Sequence, residues 1–142
     1  MKNSIYIVLI SVTLFACSTS KRHFSDVNML ASKTDTIRIA NNDLHFEVMI
    51  IDAGFSSWLN TRAYTRGFHS ESYLENKNIA YITEWNTRAM QPEIYDSNLY
   101  DMTIDYNPTT SYGYEVNYLI YNYLVYFQNV YNQRLKGYVP IR

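Results

Sequence analysis

Cysteine occurs once in the 142-residue chain, at Cys17. No intramolecular disulfide can form, no all-cysteine metal site can be built and no second thiol is available, so the fold rests on its core. Glycine (4) and proline (3) are scarce as well, and the chain contains no P-loop, no G-x-G-x-x-G and no G-x-S-x-G segment. These absences remove the phosphate cradle, the dinucleotide turn and the hydrolase nucleophile elbow. No basic run exceeds Lys21-Arg22, and Lys plus Arg (12) do not outnumber Asp plus Glu (13). The electrostatic footprint of a nucleic-acid binder is therefore missing. His23, His45 and His69 fall in separate segments without H-E-x-x-H spacing, so neither a metal nor a cofactor is expected.

What is present begins with "MKNSIYIVLISVTLFACSTS". One basic residue, Lys2, precedes an apolar stretch of 12 residues from Ile5 to Ala16. That is short of the ~20 residues a membrane-spanning helix needs, and typical of the apolar region of an export signal. Leu14-Phe15-Ala16-Cys17 resembles the lipobox of bacterial lipoproteins, with Phe15 bulkier than usual at its place. The resemblance implies cleavage before Cys17 and lipidation of its thiol and amino group. Three acyl chains, at ~0.8 kcal/mol per buried CH₂, anchor far more firmly than one. Cleavage takes 16 of the 142 residues and leaves 126, enough for one domain with one core; loss of Lys2 leaves 11 basic against 13 acidic residues.

The chain divides into a signal peptide (1–16), a lipidated cysteine with a flexible tether (17–33) and a single domain (34–142). The polar tether has a root-mean-square span of roughly 20 to 25 Å, enough to lift the domain clear of the headgroups. In the domain, "TDTIRIA" and "LHFEVMIID" alternate apolar and polar residues around Asn41-Asn42-Asp43, the pattern of a β-hairpin. Phe55, Trp58, Leu59 and Arg62 share a short helical face. Ser72-x-x-Glu75 reads as a capping box opening a helix from about Tyr73 to Met90, stopped by Pro92. Tyr100, Met102, Ile104 and Tyr106 alternate with polar residues as a third strand, and a final helix runs from about Tyr114 to Leu135. The expected fold is α+β in two layers: a small antiparallel sheet, hairpin plus third strand, packed against two or three helices.

Aromatic residues are plentiful, with 15 Tyr, 6 Phe and 2 Trp. They concentrate in "YLIYNYLVYFQNVYNQ", Tyr118 to Gln133, which carries no charge. Val116, Leu119, Ile120, Tyr123, Leu124, Phe127 and Val130 fall with two more tyrosines on an arc of about 160°. The opposite arc holds Asn117, Tyr118, Tyr121, Asn122, Val125, Gln128 and Asn129. So many carboxamides argue against a lipid-embedded segment, because each needs a partner where water is absent. A face of Asn, Gln and Tyr without Lys or Glu suits partial burial within the domain, a partner surface, or a glycan or peptide groove.

Glu84 lies four residues before Arg88 and next to Trp85. The arrangement fits a general acid against an aromatic wall, and equally an i,i+4 ion pair on a helix. No second carboxylate can be set opposite Glu84, as glycoside hydrolysis normally requires, and no catalytic residue is assigned. Glu93, Asp96, Asp101 and Asp105 supply hard oxygen ligands but lack EF-hand spacing, and read as a solvated acidic face.

The lipobox cysteine, "DAGFSSWL", "YLENKN", "TEWNTR", "QPEIY", "YGYEVNYLIYNYLVYFQ" and "GYVPIR" together resemble a family of small uncharacterised lipoproteins of Bacteroidetes-type bacteria, the domain of unknown function numbered 6146. The resemblance implies an envelope lipoprotein and no catalytic residue. "STSKRH" after Cys17 lacks the acidic run of surface-exposed lipoproteins of such bacteria, so the anchor is expected in the outer membrane, facing the periplasm. The function expected is a non-catalytic interaction or assembly module, held to the membrane by lipid on Cys17 and meeting an envelope protein through Tyr118, Tyr121 and Asn122. The alternatives are a glycan- or peptidoglycan-binding protein that stacks sugars on those tyrosines, Trp58 or Trp85, and a hydrolase using Glu84.

Overall fold

The computed structural model describes residues 36–41, 46–52 and 54–142. The signal-like segment, Cys17, the tether and the turn positions 42–45 lie outside the described residues. Two short segments, β1 (Thr36–Asn41) and β2 (Phe46–Ile51), pair antiparallel with Ile37 opposite Ile50 and Ile39 opposite Val48. Three helices follow: α1 (Phe55–Thr61), α2 (Glu71–Ala89) and α3 (Tyr114–Val130).

α3 is the axis of the molecule. From Val116 to Gln128 every residue except Tyr123 is buried, on both arcs of the wheel. A helix apolar or amide-bearing all round belongs in the middle of a domain, not on its surface. α2 lays Leu74, Tyr81, Ile82 and Trp85 along one side of it. α1 packs Phe55 and Trp58 against Tyr123 and Tyr126, with ring centroids 5.4 to 5.7 Å apart. Gly54 caps α1 with φ of 109°, a backbone that side chains rarely adopt, and a Cβ there would sit 3.3 Å from the Tyr126 hydroxyl. That hydroxyl donates to Asp52 Oδ1 at 2.8 Å and so fastens the entry to α1 onto α3.

The expected two-layer α+β fold is not what forms: the domain is helical. Among the described residues no third strand joins the paired segments, and neither of them packs extensively against a helix. The stretch from Tyr100 to Tyr106 is irregular because side chains of α2 take the backbone groups a strand would use. Asn86 Oδ1 accepts from Ile104 N at 2.7 Å and Asn86 Nδ2 donates to Ile104 O at 2.9 Å. Trp85 Nε1 donates to Met102 O at 2.8 Å. The apolar alternation is real only in part: Tyr100 is buried, Ile104 and Tyr106 are half-buried, and Met102 points outward.

Two helix ends also differ from expectation. α2 opens two residues early, because Ser70 and not Ser72 is the cap, its Oγ accepting from Tyr73 N at 3.2 Å. α3 stops short of Leu135, because Asn132 turns to φ 51° and lets Gln133 N reach back to Gln128 O at 3.0 Å. This is the six-to-one bond of a Schellman ending, with Asn in the place glycine usually takes.

Candidate functional site

The carboxamides of α3 obey one rule. Each turns its NH₂ back onto the carbonyl four residues before it: Asn117 onto Gly113 at 3.0 Å, Asn122 onto Tyr118 at 2.8 Å, Gln128 onto Leu124 at 2.9 Å and Asn129 onto Val125 at 2.8 Å. The oxygen then faces outward to whatever covers the helix. Asn117 Oδ1 accepts from the Tyr106 hydroxyl at 2.7 Å and from Asn78 Nδ2 at 3.2 Å. Gln128 Oε1 accepts from Leu135 N at 2.8 Å, and Asn129 Oδ1 from Arg142 N at 3.2 Å. Asn122 Oδ1 is the exception: buried in a residue 1% exposed, it has no partner. Its orientation follows from the chain, because a flipped amide would set two oxygens against each other at Tyr118 O.

Two segments cover this face. Residues 62–70 are pinned to the first turns of α3, where the Tyr118 hydroxyl donates to Tyr64 O at 2.8 Å and Gly67 N donates to the Tyr114 hydroxyl at 2.6 Å. Arg66 Nε meets Glu115 Oε2 at 2.8 Å, while its guanidinium stands 4.6 Å from the centre of the Tyr118 ring. The last residues are held by Asn129, which donates to Pro140 O at 2.9 Å besides receiving Arg142 N.

Where the two segments meet lies a narrow cleft, partly open to solvent and closely filled by the side chains that line it. Tyr64, Tyr114, Tyr118 and Tyr121 wall it, and Thr65, His69, Asn122 and Arg142 are its other members. The Arg142 guanidinium lies face-on to the Tyr64 ring, 3.7 Å from its centre. All three of its nitrogens are buried without a hydrogen-bond partner. His69 Nε2 is in the same state. Tyr121, whose phenol is pushed up by burial and by the neighbouring Tyr73 hydroxyl, makes no hydrogen bond of good geometry. Burial lowers the His69 imidazole, and the positive charges of Arg142 and Lys77 lower it further. His69 also stacks on Tyr73 at 4.2 Å and meets the Tyr121 ring edge-on at 5.5 Å. Buried donors and acceptors normally find partners, so a concentration of unpartnered ones around a single cleft marks it as the candidate site.

Three of the residues singled out from sequence therefore fall together: Tyr118, Tyr121 and Asn122 line the cleft. Trp58 and Trp85 do not. They are 9% and 5% exposed and lie in the core, so neither offers an open ring face for a sugar. Glu84 is committed to Arg88 Nε at 2.9 Å, and Arg88 in turn reaches the Tyr100 hydroxyl at 2.8 Å and Arg134 O. This is a staple between α2 and the segments around it. Glu93, Asp96, Asp101 and Asp105 are exposed, and among the described residues no three acidic, histidine or cysteine side chains gather closely enough to hold a metal ion. Tyr64, His69, Tyr114 and Arg142 are not recognisable as site residues from sequence. Tyr64, His69 and Arg142 sit on coil segments without periodicity, and only the fold brings them onto α3, whose first residue is Tyr114.

A small helical domain with a polar, tyrosine-walled cleft is the class that fold and site define. The chain belongs to DUF6146, a family of unknown function, which it matches over residues 5–140. No curated protein and no solved structure matches it.

Proposed function

We propose that the protein is a lipid-anchored module of the bacterial cell envelope, seated in the outer membrane facing the periplasm, whose helical domain binds a partner and catalyses nothing. The observation that carries the anchoring is the apolar stretch Ile5 to Ala16 ending at the sole cysteine, Cys17. The 16-residue segment from Ser18 to Lys33 then sets the domain a short distance above the surface. A binding role is supported by the cleft, which gathers unpartnered hydrogen-bonding groups but no activated nucleophile with a base beside it. The commitment of Glu84 to Arg88 argues in the same direction. Stacking of a glycan on Trp58 or Trp85 is not favoured, since both indoles are in the core.

Cys17→Ala tests the anchoring. The variant is expected to keep its signal segment and to leave the membrane fraction in mature form empty; normal processing and normal membrane fractionation of this variant would refute the proposal.

A further inference from the structure

Large apolar side chains stand exposed toward both ends of the helix pair. α2 and α3 run in the same direction, since Asn78 meets Asn117 near their starts and the Trp85 ring lies 4.6 Å from Phe127 further along. By the first turns, Tyr64, Phe68 and Tyr73 belong to one run of rings. Tyr64 and Phe68 are 4.1 Å apart, Phe68 meets His69 edge-on at 4.8 Å, and His69 stacks on Tyr73 at 4.2 Å. Phe68 is 60% exposed. Looseness of its loop is not the reason, because Tyr64 O, the Arg66 side chain, Gly67 N and Phe68 N are each held by a hydrogen bond. The backbone is fixed and still leaves the phenyl in solvent. By the last turns, Met90, Ile94 and Met102 are exposed. Charge separates the two ends. Around the rings, Arg62, Arg66 and Lys77 stand with Glu71, Glu75 and Glu115, and Arg142, the last residue of the sequence, adds a guanidinium and a main-chain carboxylate, so the charges balance. Along the other end, Glu93, Asp96, Asp101 and Asp105 outnumber Arg134 and Lys136 on the adjoining segment, the pair Glu84 and Arg88 being neutral.

We propose that the face formed by Tyr64, Phe68 and Tyr73 rests on the bilayer to which the chain is tethered, with the rings at headgroup depth and Arg62 and Lys77 extended toward the lipid phosphates. This rests on reading the chain as lipid-anchored, and adds which face of the domain lies on the membrane. Aromatic rings with long cations beside them suit the water–lipid boundary, because the ring bridges both media and a lysine stem lies along apolar surface while its ammonium stays wet. The segment from Ser18 to Lys33 spans roughly 20 to 25 Å, so contact with the surface is intramolecular and requires little affinity of its own. A protein partner fits less well. Whole aromatic side chains total roughly 150 to 250 Å² each, and the exposed parts of three come to far less than the ~800 Å² per partner of a standard protein interface. Charge then selects the end: an anionic leaflet repels the acidic stretch from Glu93 to Asp105 and leaves the balanced face free to approach.

The test is tryptophan fluorescence of the protein, purified with its anchor and reconstituted into phosphatidylethanolamine and phosphatidylglycerol vesicles whose acyl chains are brominated or plain. Trp58 and Trp85 lie in the core and set the background. Phe68→Trp is expected to lose more fluorescence to the brominated chains than the unaltered protein does, and Ile94→Trp no more than the unaltered protein. The difference should persist at high salt, since rings and not net charge hold the face down. Equal quenching at the two positions would overturn the proposal, as would a Trp at position 68 open to aqueous iodide and untouched by bromine. Shielding of position 68 from iodide without quenching by bromine would also overturn it, and would place a protein partner or a second copy on this face. Flotation with the vesicles reads the anchor separately. Should the chain prove to have none, the same vesicles are added to it in solution, where quenching of Phe68→Trp supports the docking face and its absence overturns it. Tyr73→Trp, on the same run of rings, decides should Phe68→Trp fail to fold.

Discussion

His69 stands at the junction of the cleft and the rings that cover it, between the cations Arg142 and Lys77 and the stacked ring of Tyr73. Burial and those two charges hold it below the ordinary histidine value of 6.5. The unfolded chain therefore takes up a proton at a pH where the folded protein still resists it. Stability from this group is complete above about pH 6.5 and falls as pH drops toward the depressed folded value, below which the slope vanishes. Glu71, raised by its own burial and by Glu75, acts in the opposite sense and near the carboxylate range, below most of that window. Thermal denaturation of the full chain between about pH 7.5 and 5 should show Tm declining, and His69→Gln should remove the part of the decline nearest neutrality. Parallel curves for the two proteins would show that His69 is not held neutral.

At the scale of elements, the question is who takes the backbone hydrogen bonds of the Met102 to Tyr106 stretch. In a sheet they would go to a neighbouring strand; here Asn86 alone satisfies both the N–H and the C=O of Ile104. Asn86→Ala deletes two hydrogen bonds at about 1 kcal/mol each, so a loss of about 2 kcal/mol is expected from the denaturant midpoint at unchanged slope. Amide exchange at Ile104 should accelerate well beyond the change at Leu119, and equal protection in the variant would mean the segment is held by packing alone. This clamp also explains how far the sequence could be read. Helical periodicity located α2 and α3, because Leu74, Tyr81, Ile82 and Trp85 mark a face by themselves. Alternation from Tyr100 to Tyr106 suggested a strand, but an extended segment and a strand share that alternation, and only the partner distinguishes them. The uncharged arc of α3 pointed to cover without naming it, since the covering residues around Tyr64 and Arg142 carry no period. Tyr118, Tyr121 and Asn122 could thus be found from the pattern of their own helix, whereas the guanidinium they meet could not.

For the whole molecule, the consequence of a tyrosine-built core without a disulfide is a particular weakness to alkali. Burial is the leading reason that Tyr106 and Tyr123 are pushed up to about 12, and it raises Tyr81, Tyr100, Tyr118 and Tyr121 in the same direction. Tyr126 is raised by burial and then by Asp52, whose carboxylate accepts its proton in a hydrogen bond. A phenol whose folded value lies above its ordinary value of 10.0 contributes full stability below pH 10 and loses it as pH rises through the folded value, because the unfolded chain releases the proton first. Seven such groups surround α3 or lie on it, so their losses fall in one window and act on one core. Between about pH 10 and 12, tyrosinate absorbance and far-ultraviolet circular dichroism should therefore change together, in a single cooperative step that moves to higher pH when a stabilising co-solute is added. Ionisation of the buried phenols completed while the helices stay intact would show that the core admits hydroxide without unfolding, and that these tyrosines are less tightly enclosed than their burial implies.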